Sequence, residues 1–100
     1  MIVVREVFQL QFGKAKEAIA LVKEFAGMLA KKGYPGTRIL TDRTGQFYTL
    51  VMETQFEGLG AFEKAEEEMM SIPEFRAWYP KLVPLINSGC REIYNLVESG

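Results

Sequence analysis

Hydrophobic and polar residues alternate over the first twelve positions of the chain, which predicts a β-strand spanning residues 2–12. One face of this strand is apolar and carries Ile2, Val4, Phe8, Leu10 and Phe12. The other face is mixed and carries Val3, Arg5, Val7, Gln9 and Gln11. Glu6 interrupts the apolar face, and nothing in the sequence accounts for a carboxylate at that position.

After Gly13 the apolar spacing changes to three or four residues, which predicts a helix over residues 14–32. Its apolar stripe consists of Ala15, Ala18, Ile19, Val22, Phe25, Ala26 and Leu29. Charged residues occupy the remaining surface, so we expect the stripe to pack on a sheet. Gly33 follows at the position of a C-terminal cap.

Residues 36–56 contain two β-rich runs around a polar turn, the pattern of a hairpin. A tight turn at residues 44–45 would pair Arg38 with Val51. A longer turn with a bulge over residues 42–46 fits equally well and would move the first run to the other face. On the tight turn, the hairpin contributes Leu40, Phe47 and Val51 to the same face as Val3 and Val7.

The second half of the chain predicts a helix over residues 57–71 and then a shorter helical segment that starts at Pro73. Pro80 is expected to end or kink that segment, because proline cannot donate the helical hydrogen bond. Gly89 is expected to stop the apolar cover before a last strand at residues 90–98. Glu66, Glu67 and Glu68 are expected to form a solvated helix side.

The predicted order is β-α-β-β-α-β, with the second helix broken. Such a chain forms a ferredoxin-like α+β sandwich with an antiparallel sheet in the order 4-1-3-2 and its helices on one face. The other face is left uncovered and partly apolar, so something should cover it. A second copy of the same sheet is the simplest cover.

One domain, residues 1–100, is expected from the length. Twelve basic and thirteen acidic side chains provide no electrostatic basis for binding nucleic acid or a membrane surface. Residues 1–10 lack the apolar core of a signal peptide, so a cytoplasmic protein is expected. With no histidine and only Cys90, histidine triads, the common zinc sites and an internal disulfide are excluded, and no metal or cofactor is expected.

Three segments resemble a known superfamily: residues 12–14 at the end of the first strand, residues 72–79 (IPEFRAWY) and residues 84–94 (PLINSGCREIY). The chain resembles the dimeric α+β barrel proteins, nearest the NIPSNAP-like and antibiotic-biosynthesis-monooxygenase-like members. The resemblance implies a homodimer whose sheets face each other around a small cavity. It carries over no catalytic residue, and the absence of histidine argues against haem chemistry of the histidine-ligated type.

Aligning the centres of the first and third strands sets Arg5 opposite Glu53 and Gln9 opposite Thr49 on the uncovered face. Together with Arg38 from the hairpin, these side chains are candidate ligand contacts for an anionic or carbonyl group. An ion pair between Arg5 and Glu53 that only fixes strand register or the dimer contact is the alternative.

Glu53 and Tyr94 are the candidate catalytic residues, since either could move a proton in a water-excluding cavity. Two functions are therefore open. One is a homodimer that binds a small molecule between its sheets. The other is a cofactor-independent monooxygenase or isomerase acting on a small aromatic or acidic substrate. Trp78 and its aromatic neighbours could wall a pocket, although core packing is the more common role of such residues.

Overall fold

The computed structural model describes residues 1–99. Its strands are β1 (Ile2–Leu10), β2 (Thr37–Thr41), β3 (Thr49–Phe56) and β4 (Ile86–Asn95). Its helices are α1 (Ala15–Lys31), α2 (Leu59–Met70) and α3 (Pro73–Leu82), and a 3-10 turn (Val83–Leu85) joins α3 to β4. The sheet is antiparallel in the order β2-β3-β1-β4, so the predicted ferredoxin-like α+β fold and strand order are confirmed.

The core lies between the helices and one face of the sheet. Its buried residues are Leu10, Ala18, Val22, Phe25, Leu29, Leu50, Met52, Trp78, Leu82 and Leu85. The even-numbered residues of β1 therefore face the helices, as the alternation predicts. We call the opposite face, which no helix covers, the open face; its β1 residues are Val3, Arg5, Val7 and Gln9.

The helix α1 ends as its sequence indicates. Gly33 has φ +87°, a conformation that glycine adopts at little cost, and its N–H donates to Ala30. The next residue, Tyr34, donates its backbone N–H to Leu29. These two hydrogen bonds make a Schellman motif that turns the chain into the hairpin.

The hairpin register departs from the tight-turn prediction by two residues. Arg38 pairs with Glu53, and not with Val51, while Leu40 pairs with Val51. A shift of two keeps each side chain on its predicted face, because the side-chain period of a strand is two. The connection is long, and Asp42 closes it by accepting the Thr49 N–H at 3.0 Å.

Phe47 lies in this connection rather than in a strand, so its prediction on the open face is wrong. The strand β1 also ends two residues early, and Phe12, expected in the core, is 72% exposed. The turn at Gly13, with φ +85°, starts before Phe12 can join the ladder. Phe12 and Phe47 instead meet edge to face, with ring centroids 6.4 Å apart.

The C-terminal half departs from the expected helix end and the expected strand start. Pro80 lies inside α3 and does not end it, because Trp78 and Leu82 are buried and hold both sides of the proline in the core. The last strand begins at Ile86 and runs through Gly89, which pairs with Phe8. Pairing along β1 outweighs the weak intrinsic preference of glycine for a strand.

Candidate functional site

Four charged side chains form a row straight across the open face. In strand order they are Arg38, Glu53, Arg5 and Glu92, and each faces the next in the sheet register. The nitrogen–oxygen distances between neighbours are 3.8, 3.3 and 3.5 Å. The row alternates in sign, so it is electrically neutral with a positive end at β2 and a negative end at β4. The predicted pairing of Arg5 with Glu53 is confirmed as geometry; Glu92 was not anticipated.

The middle of the row is less exposed than its ends. The side chain of Glu53 is 16% exposed, whereas that of Arg38 is 74% exposed. Among residues 1–99, Arg5 Nε is a buried nitrogen that has no hydrogen-bond partner. Glu53 contacts two guanidinium groups, so its charge is compensated from both sides. Such a fixed arrangement of charges can orient a polar group placed over it.

A groove of about 580 Å³ lies over this row. The row members Arg38, Glu53 and Arg5 line it, and so does Tyr94, which is 51% exposed and pairs with Val3. The structure therefore brings together four of the six residues predicted for the site.

Gln9 and Thr49 lie on the same face but outside the groove. The Thr49 hydroxyl lies 3.0 Å from Gln9 Oε1 and donates to it, so the predicted pair does meet. This contact joins β1 to β3 beyond the charged row. The two candidate ligand contacts thus form a second polar position, separate from the four residues that line the groove.

A second charged cluster lies on the helix side of the sheet. Arg91 donates from Nε to Glu6 Oε1 at 2.7 Å, and its Nη1 lies 2.8 Å from Glu66 Oε2. The guanidinium also sits 5.0 Å from the ring centroid of Phe62. We call Glu6, Arg91 and Glu66 the Arg91 cluster. It accounts for Glu6 on an apolar strand face, and it shows that Glu66 is not simply solvated as expected.

The carboxylates that contact Arg91 determine the direction in which its pKa shifts. Partial burial acts to lower the pKa of the guanidinium, but the contacts with Glu6 and Glu66 outweigh burial and leave the pKa raised. Arg91 is therefore held in its cationic form. With two carboxylates around one guanidinium, the cluster carries a net charge of −1.

The Arg91 cluster borders a pocket of about 440 Å³ between the sheet and the helices. We call it the helix-side pocket. Most of its lining is apolar or aromatic, and the aromatic members are Phe8, Phe25, Tyr34, Phe56, Phe62, Phe75, Trp78 and Tyr79. Trp78 stacks on Phe25 with centroids 4.2 Å apart and also contributes to the pocket wall, so it serves core and pocket together.

The sequence contains one signal for this pocket, the isolated carboxylate of Glu6 on the apolar face of β1. Glu6 stands alone among apolar neighbours, and a carboxylate on the buried face of a strand needs a partner. The partner is 85 residues away along the chain, at Arg91, and only the β1–β4 register brings the two together.

Residues 1–99 contain neither a cluster of metal-ligating side chains nor a helix suited to span a membrane. No group of three or more histidine, cysteine, aspartate or glutamate side chains converges to hold a metal ion. No helix in the same range combines the length and the apolar character that a membrane-spanning segment requires.

Comparison with known proteins supports the fold. The structure matches that of an uncharacterized NIPSNAP domain protein from Burkholderia xenovorans with a TM-score of 0.86 and 17% identity, over 100% of this chain and 98% of the other. It matches a NIPSNAP family protein from Agrobacterium tumefaciens with a TM-score of 0.85 and 19% identity, over 98% and 94% of the two chains.

An antibiotic biosynthesis monooxygenase also shares the architecture, with a TM-score of 0.76, 11% identity and coverage of 98% of this chain and 100% of that chain. Neither a protein-family model nor a curated protein matches the sequence. The chain therefore has the fold of these two groups, as the sequence resemblance predicts, and the NIPSNAP neighbours are themselves without a known function.

Proposed function

We propose that this chain is a small-molecule-binding protein that acts as a homodimer, with two copies paired through their open faces. The observation that carries the proposal is the open face itself. It combines an alternating charged row with apolar side chains at Val3, Val7, Leu40 and Val51. A face of this kind is stabilised by a partner that supplies both apolar contact and opposite charge.

A second copy meets both requirements. A two-fold axis parallel to the strands reverses the row, so that the positive end at Arg38 faces the negative end at Glu92 of the other copy. The groove over the row then becomes a chamber enclosed by two sheets. Arg5 and Arg38 remain the proposed ligand contacts in that chamber, and Gln9 and Thr49 remain proposed contacts at the separate polar position on the same face, for a small acidic or aromatic molecule.

Hydrodynamic measurement combined with substitution tests the pairing and the site together. Glu53→Gln removes the central carboxylate but keeps the shape of the side chain. If the row binds ligand, this variant stays dimeric and loses the bound molecule. If the row only joins the two copies, the folded variant dissociates into monomers, and the proposed ligand contacts are wrong.

The alternative function is a cofactor-independent monooxygenase or isomerase. Glu53 and Tyr94 are then the proposed catalytic residues, and both line the groove. Among the structural neighbours, one carries the name of an antibiotic biosynthesis monooxygenase, which motivates the comparison but assigns no activity to this chain. Turnover that depends on Glu53 in an intact dimer would favour this alternative.

The helix-side pocket supports a second candidate binding site. Pockets of a few hundred Å³ with apolar walls and few polar groups are typical ligand sites, and this pocket has about 440 Å³ with the Arg91 cluster at its border. We propose that it binds a ring compound within each subunit. The proposed location of the protein is the cytoplasm, in keeping with a single, exposed and unpaired cysteine, Cys90.

A further inference from the structure

Most polar groups in the helix-side pocket already form hydrogen bonds with other groups of the protein. The Thr37 and Thr54 hydroxyls lie 3.0 Å apart and hydrogen-bond to each other. The Trp78 indole N–H donates to the Leu21 carbonyl at 2.7 Å. The Tyr34 hydroxyl donates outward to Glu68. A ligand in the pocket therefore finds its polar partner chiefly in the Arg91 cluster.

Within that cluster, Glu6 has one carboxylate oxygen that can still accept a hydrogen bond. Arg91 uses its Oε1, and no hydrogen bond within residues 1–99 occupies its Oε2. That second oxygen is not among the buried atoms that lack a partner, so it is exposed, and Glu6 is one of the residues that line the pocket. The Glu6 side chain is 27% exposed, and the strand β1 holds its backbone in the centre of the sheet.

The free Oε2 of the Glu6 carboxylate is an acceptor and not a donor. The Arg91 guanidinium is already occupied by two carboxylates, and the cluster has a net negative charge. An anionic ligand would meet repulsion from the two carboxylates. A ligand with an O–H or N–H group would instead donate a hydrogen bond to the free oxygen of Glu6.

We infer that Glu6 anchors a ring compound that carries a hydrogen-bond donor, such as a phenol or an arylamine, in the helix-side pocket. This inference rests on the proposal that the pocket binds a ligand, and it specifies the class. The aromatic walls, which include Phe8, Phe25 and Trp78, accept the flat ring. The donor group points at Oε2 of Glu6.

Three probes of one shape test this inference. 2-Naphthol has a donor, 2-methoxynaphthalene has only an acceptor, and 2-naphthoate is an anion. Binding is followed on the full chain through the methyl signals of Met52 and Met69 and the indole signal of Trp78, all three of which line the pocket. A charge-assisted hydrogen bond should make 2-naphthol bind about tenfold more tightly than 2-methoxynaphthalene.

Glu6→Gln tests the anchor directly. The glutamine keeps an oxygen for Arg91, but its amide nitrogen replaces the free acceptor, so the preference for 2-naphthol should disappear while 2-methoxynaphthalene binds as before. Glu17→Gln, at a mostly exposed glutamate of α1 that lines neither pocket, is the matched control and should leave the preference unchanged.

Failure of the Glu6 anchor and failure of the pocket proposal give different results. If 2-methoxynaphthalene or 2-naphthoate binds the wild-type chain as tightly as 2-naphthol, with shifts at the pocket signals, then the anchor is wrong and the pocket remains a binding site. If no probe shifts Met52, Met69 or Trp78, the pocket proposal fails and the anchor fails with it. The probe series on the wild-type chain decides both points even if Glu6→Gln does not fold.

Discussion

Arg5 and Glu53 face each other across β1 and β3, with Nη1 of the arginine 3.3 Å from Oε2 of the glutamate. Glu53 also receives Arg38 from β2, so one carboxylate joins three strands. The pair therefore stabilises the sheet within one copy, without a ligand or partner. This structural role can be separated from the proposed binding role by measuring the stability of variants.

Loss of Glu53 should destabilise the fold. Glu53→Gln leaves two guanidinium groups without their shared counter-charge on a partly buried face, and we expect a cost of about 1–3 kcal/mol in the free energy of unfolding. Glu92→Gln, at the more exposed end of the row, should cost less than about 1 kcal/mol. Urea denaturation of both variants measures the difference, and equal costs would contradict the central role of Glu53.

A charge at the centre of the open face should separate the two copies. Val7→Glu places a carboxylate opposite Val51, where the proposed partner sheet would bury it without a counter-ion. We expect the dimer to weaken by more than about tenfold, with an unchanged circular dichroism spectrum because Val7 points away from the helices.

Val97→Glu is the control for this change, since Val97 is 96% exposed and lies outside the sheet. Sedimentation velocity should show that it associates like the wild-type chain. If Val7→Glu associates as strongly as Val97→Glu, the open face is not the contact between copies.

Gly89 should not tolerate a methyl group. A Cβ at this position would lie 2.9 Å from Cδ1 of Phe8 and 3.1 Å from the Val7 carbonyl oxygen. Overpacking of this kind costs about 1–3 kcal/mol, so Gly89→Ala should lower the thermal midpoint.

The matched glycine is Gly27, on the exposed side of α1, where a Cβ would meet nothing within 4 Å. Gly27→Ala should raise stability by about 0.5–1 kcal/mol, because alanine loses less backbone entropy in a helix. Calorimetry on both variants checks that Gly89→Ala lowers the thermal midpoint and that Gly27→Ala raises it. A neutral Gly89→Ala would mean that the β1–β4 ladder adjusts freely.

The contact of Lys32 with Glu74 should give a pH-dependent contribution to stability. The hydrogen bond from Lys32, 3.1 Å away, and a backbone hydrogen bond at Glu74 lower the pKa of Glu74 from its ordinary value of 4.5. A lowered folded-state pKa gives stability that is present above pH 4.5 and is lost as pH falls through the folded value.

Carbon-detected NMR titration of the Glu74 carboxyl measures this shift. In Lys32→Met the pKa of Glu74 should rise toward its ordinary value, and the difference in stability between the two proteins should vanish at low pH. An unchanged pKa in Lys32→Met would show that the contact with Lys32 does not form in solution.

The fold was predictable because its signals are local and repeated. Alternation in β1, the three-to-four spacing in α1 and the cap at Gly33 each specify one element, and handedness rules then arrange the elements in one sheet. The differences from the predicted element ends lie where tertiary contacts outweigh local preference. Gly89 joins β4 because it pairs with Phe8, and Pro80 continues α3 because its neighbours are buried.

The candidate site was partly predictable. Arg5 and Glu53 follow from aligning two strand centres, so their pairing needed only the strand order. Glu92 and the partners of Glu6 depend on the β1–β4 register, which a bulge next to Leu10 and an unexpected strand start at Ile86 conceal in the sequence. The helix-side pocket depends on how three helices pack on the sheet, and no local pattern encodes that volume.

Native mass spectrometry of the purified chain tests the central proposal most directly, because one experiment reports both subunit number and retained ligand. The proposal predicts a dimer at twice the 11.4 kDa chain mass, with an additional small mass that is lost on activation before the subunits part. A dimer without added mass would support the pairing and leave the ligand contacts to the variant tests. A monomer at every concentration up to the micromolar range would contradict the pairing of open faces and the chamber proposed between them.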